Sequence, residues 1–113
     1  MDCIFCKIAK GEIPSEIIFE DDDCVAFNDV NPQGPVHFLV APKKHISSLA
    51  EMTEEDEALL GHMLTVVSIL AYEKGLNDKG YRVVNNCGAD GGQTVEHLHF
   101  HVIGGRHLNW PPG

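Results

Sequence analysis

The sequence predicts a single α+β domain in which a mostly antiparallel meander of five strands packs against one main helix. Five short apolar or alternating runs bounded by turn residues predict the strands, and one long segment with helical periodicity predicts the helix. A chain of 113 residues can form one core but is too short for two, and it contains no internal repeat or linker-like run. We therefore expect residues 1–113 to form one domain.

The first part of the chain predicts a short helix, a hairpin and a third strand. The acidic residues Asp21–Asp23 form a polar turn between the two hairpin runs. Pro42 ends the third run because proline cannot donate a hydrogen bond to a sheet. The predicted bounds are Ile4 to Lys10 for the helix and Ile17–Glu20, Cys24–Asn28 and His37–Ala41 for the strands.

The main helix is predicted from Thr53 to Lys74. Thr53 can cap its first turn, acidic residues follow where the helix dipole favours negative charge, and Gly75 ends it. Strands at Tyr81–Asn86 and His97–Ile103 follow, with a glycine-rich loop between them. The apolar positions of the helix form a stripe too broad for one face, so we expect burial on two sides. They are Leu59, Leu60, Met63, Leu64, Val66, Val67, Leu70 and Ala71.

The composition disfavours several classes of partner. A formal net charge of −9 opposes non-specific binding to nucleic acid or anionic lipid, since both require a basic surface. No apolar run approaches the roughly 18 residues of a membrane span, and the first residues lack the basic and apolar regions of a secretory signal. We therefore expect a cytoplasmic protein that binds neither nucleic acid nor membranes.

Three histidines alternate with apolar residues in the last predicted strand. Because side chains alternate between the two faces of a strand, His97, His99 and His101 share one face and the intervening apolar residues share the other. Neighbouring imidazoles would lie roughly 7 Å apart, close enough to converge on one phosphate or metal ion. Packing gives an otherwise apolar strand no reason to carry three histidines on one face. This face is therefore the candidate active site.

The pattern His-φ-His-φ-His-φ-φ, in which φ is apolar, resembles the signature of the histidine triad (HIT) family. The chain is similar to the Hint branch of that family from about Cys3 to the final Trp110-Pro111-Pro112-Gly113. Thr94 departs from the Hint pattern, which has serine there, and the Cys3-x-x-Cys6 pair occurs in only part of the family. The other shared segments are Phe38-Leu39-Val40, Pro42-Lys43-Lys44-His45-Ile46 and Gly91-Gly92-Gln93-Thr94-Val95. The resemblance implies a HIT-like fold.

The resemblance implies catalytic roles for four histidines. His99, in the middle of the triad, would be the nucleophile. A neutral imidazole can attack phosphorus near neutral pH and form a nucleotidyl-histidine that water later hydrolyses. His101 and His37 would flank the phosphate and stabilise the charge that develops on its oxygens. The backbone around His97 would fix the tautomer of His99.

The resemblance also implies a nucleotide site beside the triad. Asn86, Gln93 and Thr94 would contact the phosphate and the leaving group, and Asp29 would accept hydrogen bonds from the ribose hydroxyls. The glycine-rich loop offers backbone N–H groups that can approach a phosphate closely. The base would rest between apolar side chains, although residues of this type are more often core than pocket. These are Ile4, Phe5, Ile8, Ile13, Phe27 and Val30.

Cys3 and Cys6 have the spacing of a metal clip, and two histidines would complete a tetrahedral Cys₂His₂ site. The alternative is a reduced, metal-free pair. HIT relatives that carry the pair resemble the galactose-1-phosphate uridylyltransferases in their zinc ligands. By position, the implied ligands here are Cys3, Cys6, His45 and His97. Four protein ligands leave no open position for water, so the implied zinc ion would be structural.

Within the family, the resemblance favours a purine nucleoside phosphoramidase, which hydrolyses the P–N bond of an AMP-like or GMP-like substrate at the α-phosphorus. The C-terminal Trp110-Pro111-Pro112-Gly113 favours this branch over dinucleoside polyphosphate hydrolysis, the alternative enzyme class. Nucleotidyl transfer to a sugar phosphate is less favoured, because that branch has glutamine where His101 stands. A zinc-stapled nucleotide-binding or interaction module with little turnover is disfavoured by the intact triad, since pure binding requires no nucleophile.

We also expect a homodimer. Adjacent apolar pairs in the main helix, such as Leu59-Leu60 and Met63-Leu64, point roughly 100° apart and cannot all face one sheet. In the family that the sequence resembles, this helix and the strand at Tyr81–Asn86 meet their copies in a two-fold dimer with one continuous ten-stranded sheet. That arrangement would bring Trp110 of one chain near the leaving-group side of its partner's site.

Overall fold

The computed structural model describes residues 3–113, and five strands form one antiparallel sheet. The first three strands are consecutive neighbours, but the last strand of the chain, β5, lies between β3 and β4, which gives the order β1-β2-β3-β5-β4. The α+β class with a five-stranded antiparallel sheet is confirmed. The predicted meander was wrong beyond β3. The main helix connects β3 to β4, which lies two positions away in the sheet, and β5 then pairs with both of them. The strands are β1 (Ile17–Glu20), β2 (Cys24–Asn28), β3 (Val36–Pro42), β4 (Tyr81–Val84) and β5 (Phe100–Gly104).

The two α-helices form close to their predicted positions. The short helix α1 spans Ile4–Ala9, and the main helix α2 spans Glu57–Glu73. The predicted start at Thr53 is instead a capping box followed by a 3₁₀ turn, Glu54–Asp56. There Thr53 accepts a hydrogen bond from Glu55, and Asp56 accepts one from the Thr53 N–H. A further 3₁₀ turn at Leu49–Glu51 was not predicted. Met1 and Asp2, part of the predicted domain, lie outside the described residues.

The sheet has an apolar layer on each face. The first layer packs against α2 through Leu60, Met63, Val66, Val67, Leu70 and Ala71, and its sheet residues include Phe38, Val40, Leu98, Phe100 and Val102. The second layer packs against α1 and comprises Cys3, Phe5, Ile8, Val25, Phe27, Leu39 and Ala41. Across the described residues, neither α1 nor α2 is both long enough and apolar enough to span a membrane. His101 thus lies on the face of β5 that is turned away from α2, and His97 and His99 lie in the segment that leads into this strand.

The last strand is shorter than predicted and begins at Phe100 instead of His97. Its ladder with β3 ends at the pair Val40–Phe100, and the residue that would face Leu98 is Pro42, which has no N–H. The N–H of Leu98 instead donates to the carbonyl of Ile46 at 2.7 Å. The strand β4 ends at Val84, two residues before its predicted end. The first triad histidine therefore lies on irregular backbone, where its groups are free for other partners.

Asp21 joins the β1–β2 turn to α2. Its Oδ1 accepts hydrogen bonds from the N–H groups of Asp23 and Cys24, both at 2.8 Å, and its Oδ2 lies 2.6 Å from Nε2 of His62. Partial burial opposes ionisation, but the bonds from His62 and the backbone lower the pKa of Asp21 to about 2. A carboxylate whose pKa is depressed by folding stabilises the fold above its unfolded pKa of about 3.9. That contribution is lost as the pH falls from about 4 to about 2.

We expect Asp21→Asn to lower the free energy of unfolding near neutral pH by on the order of 1 kcal/mol. The difference from wild type should shrink as the pH falls from about 4 to about 2, where the wild-type carboxylate also becomes neutral. Urea denaturation at stepped pH values measures both quantities. Asp22→Asn in the same turn removes the same charge and serves as the control. A difference that does not change with pH would contradict the prediction.

Candidate active site

A cavity of about 400 Å³ lies between α1 and the sheet, beside the triad. All six residues predicted to hold the base line it, together with Asp29, Thr94, His99 and His101. The other lining residues, which were not predicted, are Pro14, Ser15, Asn28, Leu39 and Val95. Phe5 and Phe27 form the buried wall, whereas Val30 is 99% exposed and lies at the rim. An apolar wall with polar groups at one end suits a nucleoside attached to a phosphate.

His99 is the buried histidine of this cavity. Its Nδ1 lies 2.6 Å from the backbone carbonyl of His97, and because a carbonyl only accepts, Nδ1 carries the proton. The lone pair of the neutral ring is therefore on Nε2. The ring also packs edge-on against Phe5, with centroids 4.9 Å apart. Burial lowers the pKa of His99, so the ring stays neutral near neutral pH.

His101 and His37 lie next to His99. The ring centroids of His99 and His101 are 5.0 Å apart, closer than the strand spacing suggested, and Nδ1 of His101 is 2.9 Å from Nε2 of His37. Asp29 approaches the same pair, with Oδ2 3.4 Å from Nε2 of His37. Burial lowers the pKa of both rings, that of His101 to about 4. One hydrogen bond thus joins two neutral imidazoles, one from β3 and one from β5.

Four potential metal ligands converge at the N-terminal end of α1. Nδ1 of His97 lies 3.2 Å from Sγ of Cys3, 3.5 Å from Sγ of Cys6 and 3.1 Å from Nδ1 of His45. Sγ of Cys6 is also 3.3 Å from Nδ1 of His45. Tetrahedral zinc with ordinary bond lengths separates its ligand atoms by about 3.3–3.8 Å. The four predicted ligands therefore form a cluster of suitable donor chemistry and dimensions.

The side chain of His97 is held in the tautomer that a metal ligand needs. Its Nε2 lies 2.8 Å from the carbonyl of Pro42, so Nε2 carries the proton and Nδ1 presents its lone pair to the cluster. The residue is fully buried, and burial lowers its pKa. His97 therefore contributes to two groups of residues. Its ring lies in the cluster with Cys3, Cys6 and His45, and its backbone carbonyl accepts the hydrogen bond from Nδ1 of His99.

A second group of potential ligands, Asp21, Cys24 and His62, has different chemistry. Burial raises the pKa of Cys24 to about 12, with a further contribution from Asp21. The Cys24 side chain is fully buried in the core layer that packs against α2. The contact between Asp21 and His62 already uses the other two groups. We therefore assign this cluster to the stability of the fold.

The glycine-rich loop is held together by Gln93. The side-chain Oε1 accepts from the N–H of Gly88 at 2.9 Å, and Nε2 donates to the carbonyls of Ser47 and Val95 at 2.7 and 2.9 Å. Gln93 thus ties the loop to the segment that follows β3, and its assignment to the phosphate stays a prediction. Thr94 lines the cavity, and its assignment to the phosphate also stays a prediction.

Asn86 and Trp110 lie away from the cavity. Both line a separate groove of about 650 Å³ along β4, and Trp110 is 79% exposed with Arg82 5.8 Å from its ring centroid. Within one chain, neither residue is brought to His99. Their predicted roles in the nucleotide site therefore remain predictions, and that of Trp110 depends on a partner chain.

Several groups around the histidines were not predicted. The Asn85 side chain donates to the carbonyl of His99 at 2.9 Å, the Pro42 carbonyl accepts from His97, and the Gln33 backbone N–H donates to Nδ1 of His37 at 3.0 Å. All three contacts use a backbone atom, which residue types do not reveal. Only Asn85, at the end of a predicted strand beside the glycine-rich loop, offered any signal in the sequence.

The comparisons with known proteins agree with this geometry. The family profile described as scavenger mRNA decapping enzyme, C-terminal binding, matches residues 2–109. An uncharacterized HIT-like protein of Synechococcus elongatus is 57% identical over 99% of this chain and 97% of its own length. The chain belongs to the histidine triad family.

Solved structures of HIT proteins superpose on the chain. A HIT family hydrolase from Legionella pneumophila is 47% identical, with a TM-score of 0.98 over 99% of this chain and all of its own. A histidine triad nucleotide-binding protein from Candida albicans is 34% identical, with a TM-score of 0.84 over 97% of this chain and 83% of its own. These superpositions establish the HIT-like fold. One of the two proteins is described as a hydrolase and the other as nucleotide-binding, so membership of the family indicates a hydrolase-like protein that binds nucleotides.

We expect Gly91→Ala to disrupt the glycine-rich loop of this HIT protein. A Cβ at Gly91 would lie 2.5 Å from the backbone oxygen and 2.9 Å from the backbone nitrogen of Cys87, so the loop would have to open. Affinity for AMP should fall by about tenfold, equivalent to about 1.4 kcal/mol, in isothermal titration calorimetry. Ala89→Ser, an exposed change in the same loop, is the control. Wild-type affinity in Gly91→Ala would show that the loop does not contribute to nucleotide binding.

Proposed function

We propose that this HIT protein hydrolyses the P–N bond of purine nucleoside phosphoramidates through a covalent intermediate on His99. The supporting observation is the hydrogen bond from Nδ1 of His99 to the carbonyl of His97, which leaves the Nε2 lone pair for attack. The ring lines a cavity of about 400 Å³, and burial lowers its pKa. A neutral, oriented imidazole in a partly apolar cavity is a competent nucleophile near neutral pH.

The reaction proceeds by two displacements at the α-phosphorus. Nε2 of His99 forms a bond to phosphorus, the P–N bond breaks, and the amine leaves with the bonding electron pair and a proton taken from solvent water. A water molecule then attacks phosphorus, breaks the bond to His99, returns one proton to solvent, and releases the nucleoside monophosphate. His101 lies beside the nucleophile and can donate to a phosphate oxygen, and His37 supports His101 from behind. Hydrogen bonds aimed at developing charge lower the barrier of both steps.

The nucleoside is held by groups of two kinds. The base lies among Ile4, Phe5, Ile8, Ile13, Phe27 and Val30, and Asp29, which lines the same cavity, accepts from the ribose hydroxyls. Thr94 and the loop from Asn86 to Gln93 provide polar groups for the phosphate and the leaving amine. AMP and GMP are the expected products. Dinucleoside polyphosphate hydrolysis and nucleotide binding without turnover are the alternatives that the first experiment below distinguishes.

We further propose that Cys3, Cys6, His45 and His97 hold a zinc ion. Two thiolates and two imidazoles form a closed tetrahedral set, which gives the ion a structural part. The hydrogen bond from His97 to Pro42 supports this assignment, because metal-bound histidines donate their second N–H to an acceptor in most sites. Zinc bound there would fasten α1 to the segments that carry His45 and His97.

A two-fold homodimer is the third part of the proposal. The outer face of α2 exposes Leu64, Ile69 and Tyr72, which are 47%, 50% and 70% exposed, and Val83 on the edge strand β4 is 39% exposed. Trp110 adds a large exposed apolar side chain in the groove along β4. An apolar helix face beside an unpaired strand edge favours closed pairing with a second copy.

His99→Ala should reduce release of amine from an adenosine phosphoramidate by about a thousandfold or more, while AMP affinity stays within about tenfold. The reason is that the residue supplies the nucleophile and little of the binding surface. His107→Ala, an exposed histidine outside the cavity, is the matched control. Retained turnover would remove the nucleophile assignment. If the wild-type protein binds AMP but does not hydrolyse the phosphoramidate, a nucleotide-binding module is favoured. If it cleaves diadenosine polyphosphates faster than the phosphoramidate, the alternative hydrolase is favoured.

Elemental analysis of protein purified without chelator should find about one zinc ion per chain. Cys3→Ser with Cys6→Ser should lower the melting temperature more than it lowers activity per folded molecule, because the ion fastens α1 and does not meet the substrate. Cys24→Ser changes a buried thiol outside the cluster and is the control. Loss of activity at an unchanged melting temperature would mean that the metal is catalytic.

Light scattering at micromolar concentration should report twice the chain mass of 12.4 kDa. Ile69→Glu on the outer face of α2 should shift the mass toward one chain, because it places a charge in the apolar interface. Leu49→Glu, on a separate 3₁₀ turn that is also exposed, should leave the mass unchanged. A fully active wild-type monomer would contradict the dimer.

A further inference from the structure

The hydrogen bond between His37 and His101 can run in two directions. Nε2 of His37 and Nδ1 of His101 are 2.9 Å apart and share one proton. If His37 donates, neutral His101 carries its own proton on Nε2. If His101 donates, its Nε2 holds a lone pair instead. The direction therefore decides whether His101 presents a donor or an acceptor to the phosphate.

The backbone amide of Gln33 fixes the direction. Its N–H lies 3.0 Å from Nδ1 of His37, and an amide nitrogen can only donate. Nδ1 must then be unprotonated, so the proton of His37 is on Nε2 and points to His101. A protonated His37 is excluded by the same contact, because two N–H groups would face each other. The proton of His101 is consequently on Nε2.

The loop that carries this amide is clamped by the segment after β5. Nε of Arg106 donates to the carbonyl of Gln33 at 2.8 Å. A Cβ at Gly34 would lie 3.1 Å from the backbone oxygen of Gly104, and one at Gly105 would lie 2.9 Å from Pro35, so the two segments pack closely. The amide therefore has a fixed position relative to His37 on β3.

We propose that the Gln33 backbone amide, held by Arg106, is a positioning group that sets the proton order of the His37–His101 pair. Through His37 it makes His101 a donor toward the reacting phosphate. With the order reversed, a lone pair would face the anionic oxygens and the stabilising interaction would be lost. The consequence for catalysis rests on the proposed function, whereas the proton order itself does not.

The same contact argues against a metal ion at Asp29, His37 and His101, whose ligand atoms also lie close together. A metal bound to Nε2 of His37 would require a lone pair there and therefore a proton on Nδ1. The Gln33 amide occupies that direction with a proton of its own. The distance of 3.4 Å from Nε2 of His37 to the Asp29 carboxylate agrees instead with an N–H group near an anion.

Nitrogen-15 NMR of histidine-labelled protein tests the proton order directly, because protonated and unprotonated ring nitrogens have distinct shifts. We expect wild-type protein without ligand to carry its protons on Nε2 of both His37 and His101. Gln33→Pro removes the amide proton, because the proline nitrogen carries no hydrogen. The backbone at Gln33 does not have the positive φ that proline cannot adopt. Gln33→Ala keeps the amide and should keep the wild-type tautomers. In Gln33→Pro both rings should become mixtures.

Steady-state kinetics provide the second measurement. Relative to Gln33→Ala, Gln33→Pro should lower kcat for an adenosine phosphoramidate by about tenfold to a hundredfold, with KM within about threefold. If Gln33→Pro does not fold, Arg106→Ala takes its place and should give the same tautomer mixture. Lys79→Ala, which lines the same surface groove as Arg106, is its control.

A proton on Nδ1 of His101 in the wild type, or unchanged tautomers and kcat in Gln33→Pro, would overturn the proposal. Its failure is distinguishable from failure of the proposed function. Wild-type protein with the expected tautomers but no phosphoramidate turnover would refute the function alone. Wild-type protein with turnover and the reversed proton order would refute the positioning group alone.

Discussion

His97 is the residue on which the rest of the site depends. It is fully buried, and each of its polar groups has a different partner: Nε2 meets the carbonyl of Pro42, Nδ1 faces the cysteine cluster, and the carbonyl orients His99. A buried polar group without a partner lowers the stability of the fold by on the order of 1–3 kcal/mol. His97 therefore cannot move to improve one of these contacts without weakening the others. Moving the ring would disturb His99, the proposed nucleophile, as well as the cluster of potential metal ligands.

Much of this arrangement follows from the sequence because it depends on residue type and period. Alternation in the last strand correctly separated the histidine face from the apolar face that packs on α2, even though regular pairing begins only at Phe100. The Cys3-x-x-Cys6 spacing indicated a metal clip, the resemblance to the HIT family implied His45 and His97 as the other two ligands, and the structure brings these four residues together. The apolar residues expected around the base likewise line one cavity.

Other features could not be predicted, since they depend on backbone atoms and on topology. The place of β5 between β3 and β4 leaves no local signal, yet it brings His101 against His37. The end of the β3–β5 ladder at the pair Val40–Phe100 became clear only when the register was known. The role of Gln93 could not be predicted from its residue type, because a side-chain amide can bind a phosphate or stabilise a loop equally well. Here its Nε2 donates to backbone carbonyls within the protein.

The central pairing of β3 with β5 also bears on how the chain reaches its native state. His37 and His101 are 64 residues apart in sequence, and closing so long a loop costs more chain entropy than forming the β1–β2 hairpin or α2. Neither the hairpin nor the helix contains two members of the catalytic group. A nascent or partly unfolded chain with both elements in place would therefore lack the paired histidines of the proposed site. That site is in this sense a product of the long-range pairing of β3 with β5, and its appearance during refolding would report that pairing.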